Sequence, residues 1–170
     1  MNVFLTGQIN CGKSTIINKF LEGYKGKAAG YRTIRAKTHL DDFFGVYLLE
    51  INESKKNMNE KNRSGTCFAD KSLICHEYVF NTLGVKLLEG YSQADIVIMD
   101  EIGGLEKDCT LFLNKISEVL DSDANVLGVI KQKDTPYLNG IKQRADVRII
   151  EITGRNNKEA LEEVKRLFYL

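Results

Sequence analysis

The stretch Gly7-Gln8-Ile9-Asn10-Cys11-Gly12-Lys13-Ser14 constrains this chain more than any other part of it. It matches G-x-x-x-x-G-K-[ST], the phosphate-binding loop, and its flanks suit that pattern. Asn2 to Thr6 is an apolar run of strand length. From Lys13 to Glu22, Ile16, Ile17, Phe20 and Leu21 recur at helical spacing. A strand, a glycine-bounded turn and a helix bring backbone N–H groups and the positive end of the helix dipole to one point, as phosphate oxygens require. Gly7 and Gly12 admit close backbone approach and torsions that other residues resist. Asn10 needs no side-chain role, because asparagine is the non-glycine residue most tolerant of a left-handed backbone. The expected nucleotide site is therefore Gly7, Gln8, Ile9, Asn10, Cys11, Gly12, Lys13, Ser14 and Thr15. Lys13 would reach the β- and γ-phosphates, and the Ser14 hydroxyl would bind Mg²⁺.

A second motif depends on the first. Asp95 to Met99 contains a short continuous apolar run, typical of a strand buried on both faces, and it ends in Asp100-Glu101. An acid at the end of such a strand lies beside the phosphate loop in this architecture, which is the Walker B position. Asp100 is then the second expected Mg²⁺ ligand, directly or through water. Glu101 is placed to orient and deprotonate a water, so Glu101 and Lys13 are the expected catalytic pair. Two acids at an exposed strand end would be commonplace without the upstream loop.

The remaining chain alternates strands with helices. Residues 28–35 and 43–51 read as two strands of a hairpin joined by Ala36 to Asp42. Residues 53–66 are polar, almost without apolar anchors, and read as a loop. Glu77 to Leu88 reads as a helix with Gly84 inside it, where a break is possible. Thr110 to Leu120 carries an apolar helical stripe, Val126 to Ile130 is a buried strand, and a short helix follows Pro136. Val147 to Ile152 is a last strand and Asn156 to Phe168 an amphipathic helix. The expected fold is α/β: a mostly parallel central sheet with helices on both faces, three layers in all, and one early antiparallel hairpin. With 170 residues, no repeat and no shift in composition, one domain over 1–170 is expected.

Composition narrows the partners. The net charge is +1, so no basic excess points to nucleic acid. No apolar run approaches the roughly 20 residues of a membrane helix. Cys11, Cys67, Cys75 and Cys109 form no C-x-x-C pair, and with only His39 and His76 beside them no zinc spacing arises. Met1 leads straight into the first strand without a signal-peptide pattern. The expectation is a cytoplasmic monomer with reduced thiols, no membrane partner and no nucleic-acid partner. Cys11 reads as a spacer in the loop rather than a reactive thiol.

Thr6 to Thr15, together with Ile98-Met99-Asp100-Glu101-Ile102-Gly103-Gly104-Leu105-Glu106, resembles the small P-loop nucleoside-triphosphatase family of the cancer-related type. Ala145 to Thr153 is similar too, and the likeness spans most of the chain. The resemblance implies Mg²⁺-dependent hydrolysis of ATP, GTP and other nucleoside triphosphates to the diphosphate and phosphate. It also implies the P-loop NTPase division with an extra strand, in which 126–130 lies between the phosphate-loop strand and the Walker B strand. Ile9 and Asn10 stand where members often carry Pro-Gly, and Arg35 falls near a position that is usually acidic.

Other residues leave alternatives open. Lys131 and Lys133 follow the strand 126–130, where polar groups can sense a γ-phosphate; solvated lysines are the simpler account. Arg32, Arg63 and Arg144 could each neutralise transition-state charge, and no sequence feature picks among them. Glu106 would either cap the Thr110 helix or support Glu101. Tyr31, Phe43, Phe44 and Tyr47 suit a core better than base stacking. His39 and His76 read as surface residues. No Asn-Lys-x-Asp guanine reader occurs, so base selectivity is expected to be loose. A nucleotide or small-molecule kinase on the same scaffold is the alternative activity, with Lys142, Arg144, Arg148 and Arg155 near an acceptor. A nucleotide-switched binding protein is a third.

Overall fold

The computed structural model describes residues 1–37 and 43–169; His39 and most of the 36–42 connection lie outside the described residues. An eight-stranded sheet runs in the order β5-β4-β3-β2-β6-β7-β1-β8. Its inner strands are β1 (Asn2–Thr6), β6 (Ile96–Ile102) and β7 (Val126–Ile130), with β8 (Val147–Glu151) outside β1. β1, β6, β7 and β8 pair in parallel, and so does β2 (Ala28–Lys37) with β6. β7 lies between β1 and β6, so the phosphate-loop strand and the Asp100 strand are not neighbours.

Burial alternates along the strands as the pleat demands. Val3 and Leu5 face the layer built by α1 (Lys13–Gly23) and α6 (Asn157–Phe168), together with Ile17, Phe20, Val164 and Phe168. Phe4, Val97 and Met99 face the opposite layer, where α4 (Thr110–Leu120) contributes Phe112 and Ile116 and α5 (Pro136–Lys142) contributes Leu138 and Ile141. Three layers follow because each helix has one apolar stripe and the sheet has two apolar faces.

The antiparallel part is wider than one hairpin. β2 pairs with β3 (Phe44–Glu50) as expected, but β3 pairs with β4 (Arg63–Cys67), and β4 with β5 (Leu73–Cys75), all antiparallel. The polar stretch 53–66 is therefore only partly loop. It carries two short 3₁₀ turns, Lys55–Asn57 and Glu60–Asn62, and then enters β4. Its lack of apolar residues hid the strand, because β4 is buried through small side chains: Ser64, Gly65 and Thr66.

Gly84 does not break the helical run. α2 (Glu77–Val79) continues through a π-helical turn, Phe80–Gly84, into α3 (Val85–Leu88). A Cβ at Gly84 would stand 2.7 Å from Phe112 Cδ2 and 3.3 Å from Leu48 Cδ2. Glycine lets this run lie against α4 and β3. Helix propensity alone makes Gly84→Ala stabilising by about 1 kcal/mol; crowding reverses the sign. Urea unfolding of Gly84→Ala is expected to show a loss of about 1–3 kcal/mol.

Candidate active site

The phosphate loop leaves β1 at Gly7 and enters α1 at Lys13. Three residues of the loop have positive φ: Gly7 at 144°, Asn10 at 62° and Gly12 at 104°. Asn10 thus adopts the left-handed conformation its residue type permits. At Gly7 a Cβ would lie 2.2 Å from the Ile152 carbonyl oxygen, so only glycine fits where the loop passes the end of β8. The turn closes around a cation: Lys13, 8% exposed, donates to Gly7 O at 2.8 Å and Gln8 O at 2.6 Å. Asn157, in the first turn of α6, donates to Cys11 O at 3.1 Å and braces the loop from behind.

Asp100 and Glu101 lie where the pairing of β6 with β7 is interrupted, before it resumes at Ile102 and Ile130. The register breaks between Met99 and Ile102, while β2 still pairs through Arg32 and Asp100. This irregularity turns the two acids toward the loop at the carboxyl ends of the strands. Ser14 donates to Asp100 Oδ1 at 3.0 Å. Asp100 is buried, and that burial raises its carboxyl to about 7; nearby Glu101 adds to the rise, while the Ser14 bond and the charges of Arg32 and Lys13 oppose it. Glu101 is more open. Its backbone N–H donates to Thr33 Oγ1 at 3.2 Å and its carboxylate pairs with Lys131 Nζ at 2.9 Å.

These groups share one cavity of about 530 Å³. Ile9, Asn10, Gly12, Lys13, Ser14 and Thr15 line it on the loop side, and Asp100, Glu101 and Lys131 line it opposite. Gly7, Gln8 and Cys11 shape the turn without lining the cavity. Ser14 and Asp100 offer a hydroxyl and a carboxylate, hard oxygen donors of the kind a divalent cation takes. No group of three or more His, Cys, Asp or Glu able to hold a metal occurs among the described residues.

The structure sorts the remaining candidates. Glu106 does not cap α4 with its side chain. Its buried carboxyl accepts from Gly103 N–H at 2.5 Å, fixing the turn after Glu101, and burial raises its pKa. Arg144 is tied to Asp121 and Asp146, and Arg63 to Glu60, so both serve the scaffold. Arg32 donates to Glu53 O at 2.6 Å. Arg35, noted in the sequence only for its unusual charge, is the arginine that lines the cavity; it lies over the Phe44 ring and donates to Cys67 Sγ at 3.3 Å. Tyr31 and Tyr47 are buried, and none of the four candidate stacking aromatics lines the cavity among the described residues; Phe80 does. His76 bonds Thr66 Oγ1 at 3.0 Å, between β4 and α2. Asn157 and Thr33 escaped sequence reasoning because each acts through a contact distant in the chain. The only local hint was the polar pair Asn156-Asn157 opening the last helix.

The family model described as NTPase matches residues 2–165. The chain belongs to this nucleoside-triphosphatase family. "Nucleoside-triphosphatase THEP1" of Thermotoga maritima is 25% identical over 168 residues, covering 96% of this chain and 93% of that protein. Its counterpart from Aquifex aeolicus is 26% identical and covers 98% of each. Among solved structures, THEP1 from Aquifex aeolicus superposes with a TM-score of 0.76 at 22% identity, over 100% of both chains. The human cancer-related nucleoside triphosphatase gives 0.70 at 21% identity, over 99% of this chain and 97% of that one. At those identities the structures establish the fold, a P-loop NTPase sheet with the strand order described. No described helix is long and apolar enough to cross a membrane.

Asn157→Ala removes the brace on Cys11 O without touching the cavity. Hydrogen exchange read by mass spectrometry is expected to show residues 8–13 exchanging several-fold faster, for loss of a bond worth about 1 kcal/mol.

Proposed function

We propose that this NTPase hydrolyses nucleoside triphosphates with Mg²⁺, releasing the diphosphate and inorganic phosphate. The observation that carries the reading is the meeting of Ser14 and Asp100 at 3.0 Å, with Glu101 on the wall of the same cavity. Backbone N–H groups from Gly7 to Thr15 and the Lys13 ammonium hold the β/γ oxygens. To do so Lys13 exchanges its bonds to Gly7 O and Gln8 O for phosphate oxygens. Ser14 and Asp100 hold Mg²⁺, which when bound neutralises charge between the β- and γ-phosphates. Glu101 accepts a proton from the attacking water, and the Glu106–Gly103 bond keeps the following turn in place.

Base selectivity is loose in this reading, because the cavity's recognisable groups address phosphate rather than a purine or pyrimidine edge. The chain works as one catalytic domain and a cytoplasmic monomer, with no nucleic acid involved.

Phosphate release from ATP and GTP in the presence of Mg²⁺ tests the activity. Label from the γ-phosphate is expected in free phosphate; label on a metabolite would mean transfer instead. Lys13→Ala should lose binding and cut turnover by at least ~100-fold. Glu101→Gln should bind triphosphate no more weakly than the parent, with kcat down by roughly 10²–10⁴. Parental turnover by Glu101→Gln would overturn the base assignment. Removal of Mg²⁺ with a chelator should stop hydrolysis, and its addition should restore it.

A further inference from the structure

The proposed hydrolysis leaves Lys131 without a role, yet its side chain is held in place. Lys131 N–H donates to Ile102 O at 3.0 Å, where β6 and β7 pair again beyond the irregularity that holds Asp100 and Glu101. Its stem lies along Gly103, so closely that a Cβ there would come within 3.0 Å of Lys131 Cδ. The backbone bond and the bare glycine together aim the ammonium at Glu101 Oε1, 2.9 Å away. Lys131 and Glu101 both face the cavity that Lys13 and Ser14 line.

This pair presents one cation to two competing anions. In the structure Glu101 has it. A terminal phosphate carries more negative charge than a carboxylate and binds an ammonium strongly. A diphosphate ends at the β position, where the loop holds it, and offers no phosphate at the γ position. The side chains of the pair are 43% and 27% exposed, so solvent weakens it. A weak contact is what an exchange needs, since a strongly held lysine would not transfer.

We propose that Lys131 is a positioning residue that reads the terminal phosphate: it clamps Glu101 when the site is empty or holds diphosphate, and moves to the γ-phosphate of a bound triphosphate, freeing Glu101 for water. This rests on the assignment of Glu101 as base and of the cavity as the triphosphate site. It couples recognition of the third phosphate to release of the base, so that water meets a free carboxylate only when there is a bond to cleave.

The experiment is calorimetry with Mg²⁺ on the full chain, using adenylyl imidodiphosphate and ADP, alongside steady-state kinetics. Lys131→Met is expected to weaken binding of the triphosphate analogue about tenfold or more, to leave ADP within about twofold, and to lower kcat. Lys131→Arg should recover most of the analogue affinity. Gly103→Ala, which displaces the lysine stem without removing its charge, should shift the analogue-to-ADP ratio in the same direction by less. Glu101→Gln abolishes the resting clamp, so the analogue should bind roughly two- to fivefold tighter than to the parent, with ADP unchanged. That gain should vanish when Lys131→Met is added. The proposal is overturned if Lys131→Met weakens both nucleotides equally or neither, or if the gain in Glu101→Gln persists without the lysine. Failure of the base assignment reads out separately, as parental turnover in Glu101→Gln, because the lysine's effect is measured by binding alone.

Discussion

The hydrogen bond from Ser14 to Asp100 ties the start of α1, which follows β1, to the end of β6, a strand that β1 does not touch. β7 lies between β1 and β6, and the bond crosses its carboxyl end. Two conditions make the crossing possible. The phosphate loop must turn sharply at Gly7 to set α1 over the sheet, and β6 must leave its ladder with β7 after Met99. Either one alone would leave an isolated hydroxyl or an isolated buried acid. Together they set a hydroxyl, a carboxylate and a lysine around a cavity at the carboxyl ends of parallel strands, where open α/β sheets place their ligands.

Charge within the site is balanced locally. Lys13 is nearly buried and satisfied by carbonyl oxygens of its own loop. Asp100 is buried with one donor, Ser14, and burial holds its carboxyl above the usual carboxylate range. Glu101 is partly exposed and pairs with Lys131. Glu106 is buried against a backbone N–H. Each of these groups already has a partner within the fold. Such a site is organised before ligand arrives, and its ordering cost is met by the fold rather than by binding.

The antiparallel extension β3-β4-β5 gives the cavity its far wall. Val46, Cys67 and Leu73 come from these strands, and Arg35 from β2 beside them. The loop side of the site is built by the parallel core. The extension therefore forms the part of the wall away from the loop.

The sequence by itself determined the phosphate loop, the pairing of Asp100 with Glu101 and the alternation of strands and helices. Those features are local: they need fixed spacing, apolar period and particular backbone torsions, all carried by neighbouring residues. Strand β4 was illegible, because Ser64, Gly65 and Thr66 carry no apolar signal and are buried by the strands on either side. The contacts made by Asn157, Thr33 and Lys131 were equally hidden. Their partners, Cys11, Glu101 and again Glu101, lie 146, 68 and 30 residues away, respectively. Which lysine is paired, which arginine faces the cavity and which carboxyl is buried depend on where β6 and β7 separate. Only packing of the whole sheet decides that, since register between distant strands is a property of the assembled layers and not of any one segment.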